Sequence, residues 1–301
     1  MKKLKQLTVG IPALNEEKSI GVLLSSLISQ KEKGFRIVKI IVISDGSTDS
    51  TVSTAKRIKD RRIEVIQKKK RLGKASRLNQ IINKTDSDLL VLVDADISIA
   101  SQDFISELVT PIINQKADMT SPAIQELSSK TFFEEVLDLS MKLKIILFSK
   151  FKNGNNVYNC HGPARAFNKS LYKKINFQNS EGDDMFSYLF CIKNNYKFRF
   201  IPNIYVSYRL PSVIKDHYKQ SSRYLNAIEF CNSFFGKNLV NSEFAIPRSV
   251  FLCSFLSSIP LLFRMPIHSI FYLSTFSLVR IARKLNIKPN EYWQVKSSKN
   301  I

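Results

Sequence analysis

Over the first 125 residues, short runs of β-branched and aliphatic residues alternate with longer amphipathic stretches. The short runs predict strands at 7–13, 38–44, 63–67, 89–93 and 119–123. Between them, apolar positions recurring every three to four residues predict helices at 18–29, 50–59, 74–83 and 103–115. Asp49 or Ser50 is placed to cap the second helix, and Ser101 the fourth. Alternation of this kind builds βαβ units around a parallel sheet, so the expected fold class is α/β.

Beyond this region the pattern predicts a long amphipathic helix at 132–151 and a strand at 158–169 returning to the same core. Gly182-Asp183-Asp184 then opens an apolar-periodic stretch at 185–194. After Pro211, basic and aromatic segments give way to an apolar region at 244–282, interrupted by Arg248, Pro260, Arg264, Pro266 and Arg280. The chain has no internal repeat and no low-complexity linker.

With 301 residues, 44% of them apolar, the chain has enough material for a sizeable core. Its 46 basic and 25 acidic residues give a formal charge of +21, which calls for anionic partners: nucleic acid, anionic lipid or phosphorylated ligands. Charge alone does not choose among them. Cys160, Cys191, Cys231 and Cys253 lie far apart, without the spacing of a zinc site or a disulfide scaffold. Reduced, partly buried thiols and a cytosolic face are expected. The basic N-terminus runs into the first strand without the apolar stretch and cleavage site of a signal peptide, so secretion is not expected.

Ligands of open α/β sheets gather at the carboxyl ends of the strands. Here Asn15-Glu16-Glu17 follows the first strand, Asp45-Gly46-Ser47-Thr48-Asp49 the second and Asp94-Ala95-Asp96 the fourth. The alternate carboxylates of Asp94 and Asp96 suit a hard divalent cation that leaves positions for phosphate oxygens. A polar strand end with a helix cap explains them equally. Lys68 to Lys70, Arg71, Gly73 and Lys74 form a basic loop leading into a helix N-terminus. Gly73 and Lys74 read as a diphosphate site, and Lys68 to Lys70 as a solvated loop.

These stretches resemble the glycosyltransferases of family 2, which have the GT-A fold. The matching segments are Ile11-Pro12-Ala13-Leu14-Asn15-Glu16-Glu17, Ile43-Ser44-Asp45-Gly46-Ser47-Thr48-Asp49, Gly73-Lys74-Ala75-Ser76-Arg77-Leu78-Asn79 and Asp94-Ala95-Asp96. The resemblance implies a Rossmann-like nucleotide-diphospho-sugar transferase fold, with a central, mostly parallel sheet flanked by helices. The implied activity is transfer of a sugar from a nucleotide-diphosphate sugar, a UDP-sugar, to an acceptor hydroxyl with inversion, in glycan or glycolipid biosynthesis.

By the same resemblance, Pro12, Ala13, Glu16 and Asp45 border the uridine pocket, with Asp45 reading the base. Arg71 and Lys74 lie near the base or the diphosphate, and Asp94 contacts the ribose or the metal shell. Asp96 binds Mn2+ or Mg2+ bridging the phosphates. Family members supply the general base as the second residue of an acidic pair that starts a helix, which makes Asp184 the base and leaves Asp183 beside it as a helix cap or acceptor contact; that both aspartates cap the helix is the alternative. The segment from Asn159 to Phe167 resembles the family's glycine-centred strand beside the donor sugar, and places His161 and Gly162 near acceptor or sugar. For His161 a structural role is the alternative. Gln220-Ser221-Ser222-Arg223-Tyr224 is similar to the QxxRW motif of processive members, with tyrosine in place of tryptophan. Gln220 and Arg223 share a helix face from which both can meet a diphosphate while Tyr224 meets an acceptor sugar; an exposed basic helix is the alternative.

The resemblance covers about 7–225, so a catalytic domain is expected at 1–225, with a donor half at 1–125 and an acceptor half at 126–225. The remainder, 226–301, reads as an apolar and basic helical extension. Its charge-free stretches at 249–263 and 265–279 each fall short of the ~20 residues that span a bilayer. Three arrangements compete: helices buried against the catalytic domain, an interfacial or re-entrant hairpin, and a spanning helix. The interfacial one is preferred, with Arg248, Arg280, Arg283 and Lys284 meeting anionic headgroups on the cytoplasmic face. The expected partners are a nucleotide-sugar donor, a glycan or lipid-linked acceptor and an anionic membrane surface, and not nucleic acid. Two other classes compete. A nucleotidylyltransferase is disfavoured because no glycine-rich basic loop follows the first strand. In a non-enzymatic basic module, positive charge rather than aspartates would fill the strand ends.

Overall fold

The computed structural model describes residues 4–178 and 182–284. Residues 1–3 of the basic N-terminus and the side chains of Arg280, Arg283 and Lys284 lie outside the described part. In chain order the elements are β1 (Lys5–Ala13), α1 (Ile20–Ile28), β2 (Phe35–Asp45), α2 (Thr51–Arg57), β3 (Ile63–Lys68), α3 (Lys74–Lys84), β4 (Leu89–Val93), α4 (Phe104–Ile113), β5 (Met119–Glu126) and α5 (Phe132–Lys150). There follow β6 (Ala164–Asn168), α6 (Lys169–Tyr172), α7 (Asp183–Lys193), β7 (Phe198–Tyr208), α8 (Ile214–Phe235), α9 (Lys237–Phe244), α10 (Arg248–Arg264) and α11 (Pro266–Lys284).

Among the described residues the chain forms two compact units, one within 4–125 and 157–208, the other within 126–156 and 209–284. Position 225 lies within α8. In the first unit, the sheet order is β3-β2-β1-β4-β6-β5-β7. β1 pairs in parallel with β2 and β4, and β2 with β3, while β6 runs antiparallel to both β4 and β5. The α/β class and mostly parallel sheet expected from the sequence are therefore present.

Burial explains why these strands were legible. All seven residues from Leu7 to Ala13 and all of Leu89–Val93 are buried, the continuous apolar pattern of strands covered on both faces. α1 buries Ile20, Leu23, Leu24 and Leu27, one stripe at helical spacing. Of the cap expectations, that at the second helix is met by Asp49, and that at the fourth moves two residues on. Ser50 makes no side-chain cap bond; Asp49 Oδ1 instead accepts the Thr51 amide at 3.0 Å. Asp103 stands at the N-cap of α4, and Ser101 Oγ accepts the Asp103 amide.

The strand expected at 158–169 is confined to β6, because a 3-10 turn at Val157–Asn159 and the Gly162-Pro163 step occupy its first half. β7 was not anticipated: Pro202 interrupts it and its burial alternates poorly, as suits a strand at the edge of the sheet.

In the second unit, α5 begins with a capping box in which Thr131 and Glu134 satisfy each other's backbone amides. It packs against α10 and α11, with Glu135 Oε2 2.9 Å from His268 Nε2 and the rings of Phe132 and Phe271 5.1 Å apart. The long C-terminal helical stretch is apolar and exposed: Phe251, Leu252, Phe255 and Leu256 on α10 and Ile267, Ile270 and Phe271 on α11 all face outward. Together Lys237–Arg264 comprises 28 residues and contains an 18-residue window of mean hydropathy 1.6, long and apolar enough to cross a membrane. That span reaches beyond the charge-free stretch at 249–263, which by itself still falls short, and Ala245–Pro247 separates α9 from α10.

Candidate active site

The loops leaving β1 and β2 are bound to each other. Asn15, in the left-handed region at φ 55°, turns the chain out of β1. Its Oδ1 accepts the Thr48 amide at 2.9 Å, and its own amide donates to Ser47 Oγ at 3.1 Å. The Glu16 amide donates to Thr51 Oγ1 at 2.7 Å, and the Ser50 amide to Glu17 Oε2 at 3.0 Å. Pro12, Ala13 and Glu16 are all buried.

Asp45 ends β2 only 1% exposed. Its Oδ1 accepts from the Leu72 amide at 2.8 Å and Arg77 Nε at 2.6 Å, and its Oδ2 from the Gly73 amide at 2.9 Å. Arg77, fully buried, also donates to the Lys70 carbonyl oxygen. This ion pair folds the basic loop, in which Arg71 lies half-buried, onto the end of β2. Gly46 makes the approach feasible, since it adopts φ +78° and a Cβ there would stand 3.1 Å from the Lys69 carbonyl oxygen. In the structure, then, the Asp45 carboxylate is engaged by the basic loop after β3 and by Arg77 of α3. Sequence reasoning gave no role to Arg77, whose signal was its place on the buried face of α3 beside Leu78 and Ile81.

Lys74 opens α3 and lies between two carboxylates, 2.6 Å from Asp94 Oδ1 and 3.2 Å from Asp183 Oδ1. Burial opposes its charge, but Asp183 and Asp94 outweigh burial and raise its pKa above the ordinary lysine value. Burial, opposed by Lys74 and reinforced by Asp183 and Asp96, pushes Asp94 up to about 6. Burial acts on Asp183 too, yet Arg165 and Lys74 hold it at about 2. The Arg165 guanidinium, wholly buried, donates to Asp183 Oδ2 and to Ser187 Oγ. Sequence reasoning passed over Arg165; a lone arginine between two alanines of a buried strand was the available signal.

Asp96 is half-buried, and among the described residues its carboxylate accepts no hydrogen bond and forms no ion pair. No three His, Cys, Asp or Glu side chains among the described residues cluster closely enough to make a metal cage by themselves. Asp94 and Asp96 fit the kind of site in which a divalent cation takes one or two carboxylates and completes its shell with phosphate oxygens and water.

Asp184 stands in the first turn of α7, where its Oδ1 accepts the Met185 amide at 2.8 Å. Burial and the neighbouring Asp183 raise its pKa above the usual carboxylate value. Gly162 leaves room beside it: a Cβ there would stand 3.4 Å from Asp184 Oδ2. The His161 amide donates to Ser121 Oγ at 2.9 Å, while its imidazole packs edge-on to Phe200 and is lowered by burial to about 4, so it stays neutral near pH 7. The structure thus brings Lys74, Asp94 and Asp183 together, with Asp184 beside Gly162. Gln220, Arg223 and Tyr224 belong to α8 of the second unit, where Gln220 and Tyr224 are exposed and Arg223 is half-buried.

Comparison with known proteins follows the same lines. Residues 8–176, more than half of the chain, match the model of "Glycosyl transferase family 2". A 4,4'-diaponeurosporenoate glycosyltransferase of Staphylococcus aureus is 28% identical over 173 residues, which span 56% of this chain and 45% of the relative, so the match takes in about half of that protein's length. Among solved structures, the mannosyltransferase PcManGT of Pyrobaculum calidifontis, in complex with GDP-Man and Mn2+, superposes with a TM-score of 0.61 at 15% identity, covering 95% of this chain and 89% of that one. Glucosyl-3-phosphoglycerate synthase of Mycobacterium tuberculosis, in complex with Mn2+ and UDP-Glc, gives a TM-score of 0.57 at 16% identity over 74% of this chain and 78% of that one. At such identities the structural likeness speaks for the fold, whereas the family model speaks for descent: the chain belongs to glycosyl transferase family 2.

Proposed function

We propose that this protein transfers a sugar from a nucleotide-diphosphate sugar to an acceptor hydroxyl, with inversion. The observation that carries the reading is the convergence of Asp94, Lys74 and the acidic start of α7 at the carboxyl end of the sheet, where such folds receive ligands. Pro12, Ala13, Glu16 and Asp45 border the nucleoside pocket, Asp45 through the loop it holds. Arg71 and Lys74 face the diphosphate. Asp96, with Asp94 beside it, would hold Mn2+ or Mg2+, which when bound neutralises charge building on the departing diphosphate. Lys74 offers a protonated ammonium for the same charge. Asp184, its basicity raised by burial, accepts the proton of the acceptor hydroxyl. Gly162 keeps the space beside Asp184 open, and His161 borders it as a neutral wall.

UDP is the nucleotide proposed. The complexes named above hold GDP-Man in one relative and UDP-Glc in another, so both nucleotides belong in the screen. The acceptor is a glycan or a lipid-linked molecule. The exposed apolar residues of α10 and α11, with Arg248 and Arg264 at the ends of α10, support binding to an anionic membrane surface on its cytoplasmic side. The break at Ala245–Pro247 interrupts the longer apolar span and leaves α10 at 17 residues, about 25 Å at 1.5 Å per residue against the ~30 Å hydrocarbon layer, which favours lying in the interface over crossing it.

The test is a thermal-shift screen of UDP- and GDP-sugars with and without Mn2+, followed by assay of nucleoside diphosphate release. A ligand that binds only the folded state raises the melting temperature. Failure of every nucleotide sugar to bind would replace this reading with that of a non-enzymatic basic module.

A further inference from the structure

The geometry points to Arg165 as a positioning residue: its buried guanidinium braces the N-terminus of α7 through Asp183 and Ser187, and thereby orients Asp184. The inference rests on the reading of Asp184 as the base. Arg165 lies on β6 opposite Leu92 of β4 and is 0% exposed. Replacing a buried ion pair by apolar side chains of similar volume is often neutral or stabilising, so the pair is weak evidence of a stabilising role and its geometry is the more informative property. That geometry is visible in the partners. Asp183 and Ser187 stand one turn apart on α7, and the planar guanidinium reaches both, with Nη1 2.9 Å from Ser187 Oγ.

Ser187 Oγ in turn donates to the Asp184 carbonyl oxygen at 2.9 Å, so the backbone of the proposed base is held by the group that Arg165 holds. The other Asp183 oxygen takes Lys74, which holds Asp94. Asp94, Lys74, Asp183 and Arg165 therefore form one row of alternating charge from the end of β4 to the start of α7. The Asp94 amide donates to the Pro163 carbonyl oxygen at 2.9 Å, pinning the same pair of strands two residues before Arg165. Both Asp183 oxygens are taken by cations, so Asp183 acts as a brace linking the donor-side carboxylates to the helix that carries Asp184.

Two variants test this: Arg165→Lys, which keeps the charge but loses the fork, and Arg165→Met/Asp183→Asn, which leaves no uncompensated buried charge. Melting temperature, affinity for UDP with Mn2+, kcat and KM for UDP release from UDP-glucose, and amide exchange along α7 are compared with wild type. For Arg165→Lys, which leaves the Asp183–Lys74 contact in place, the expected result is near-native melting and UDP affinity, an unchanged donor KM, and a kcat lowered by roughly 10- to 100-fold, the effect of an ångström-scale misplacement. Arg165→Lys should retain more activity than the double variant, and amides at the start of α7 should exchange faster in both. Wild-type kcat in the folded variants would overturn the inference, as would loss of UDP affinity in proportion to rate in Arg165→Lys, or unchanged exchange in α7. A wild type that releases no UDP from UDP-glucose counts against that donor alone, and the exchange measurement then decides the brace.

Discussion

Replacing Asp184 by asparagine separates catalysis from folding. Asp184 Oδ1 accepts the Met185 amide at 2.8 Å, and asparagine keeps an acceptor oxygen for it, a change worth a few tenths of a kcal/mol in a helix start. Oδ2, beside Gly162, becomes an amide nitrogen without basicity. A positioned general base contributes about 10²- to 10⁴-fold, and each tenfold corresponds to about 1.36 kcal/mol, so the barrier should rise by about 2.7–5.4 kcal/mol. The stability effect runs the other way. The folded-state pKa of Asp184 is raised, so its ionised form costs stability above the ordinary carboxylate range. At neutral pH, Asp184→Asn should melt at or above the wild-type temperature, and any gain should fade as the pH falls and the wild-type carboxyl takes up its proton. Calorimetry, UDP-sugar affinity and transfer rate on the same preparations give the comparison. The expected pattern is native melting, native donor affinity and a collapsed rate, with Asp183→Asn losing less rate and more stability because it uncouples Arg165 and Lys74. An Asp184→Asn enzyme with full turnover would refute the assignment, and the residue would then be read as a helix cap.

Asp96→Ala should weaken Mn2+-dependent UDP binding roughly tenfold or more, judged by calorimetric titration with and without the metal, since even groups behind a ligand contribute that much. Unchanged Mn2+-dependent affinity would remove Asp96 from the site. Phe255→Asp/Leu256→Asp should lower the fraction of protein that sediments with anionic vesicles while leaving the melting temperature near native, because both side chains are more than half exposed; equal sedimentation would contradict the interfacial reading. His161 has a folded pKa lowered from 6.5 to about 4, so the unfolded chain binds a proton that the native state refuses, and stability is lost as the pH falls from 6.5 towards 4. His161→Asn should therefore show a flatter decline of melting temperature over that window, and parallel curves would show that His161 does not titrate as described.

Much of the first unit could be read from local pattern because its strands and helices announce themselves locally. β1 and β4 are buried on both faces and appear as continuous apolar runs, and α1 and α3 bury one stripe each at helical spacing. Asp94 and Asp96 drew notice because alternate carboxylates directly follow such a run, and the acidic pair at the start of α7 because it opens an apolar-periodic stretch, while the choice of Asp184 as base came from the family resemblance. β7 was not legible, since an edge strand interrupted by Pro202 carries no clean alternation. The exposed C-terminal helices were visible as apolar segments, but whether neighbours covered them was a question of tertiary packing.

The row of charges at the site was decided only by tertiary structure. Lys74, Asp94, Arg165 and Asp183 come from α3, the end of β4, β6 and α7, far apart in the chain. They meet because β6 inserts antiparallel beside β4, a topology that no local spacing encodes. The same holds for Asp45, which local pattern marks as a polar residue at a strand end. Its inward engagement follows from Arg77 and the Leu72 and Gly73 amides arriving across the turn. Sequence determines which residues are apolar, charged or free to turn, because those are properties of single side chains and their nearest neighbours. Partnership between buried charges depends on which elements the sheet order sets side by side, and that order emerges only when the whole core is packed.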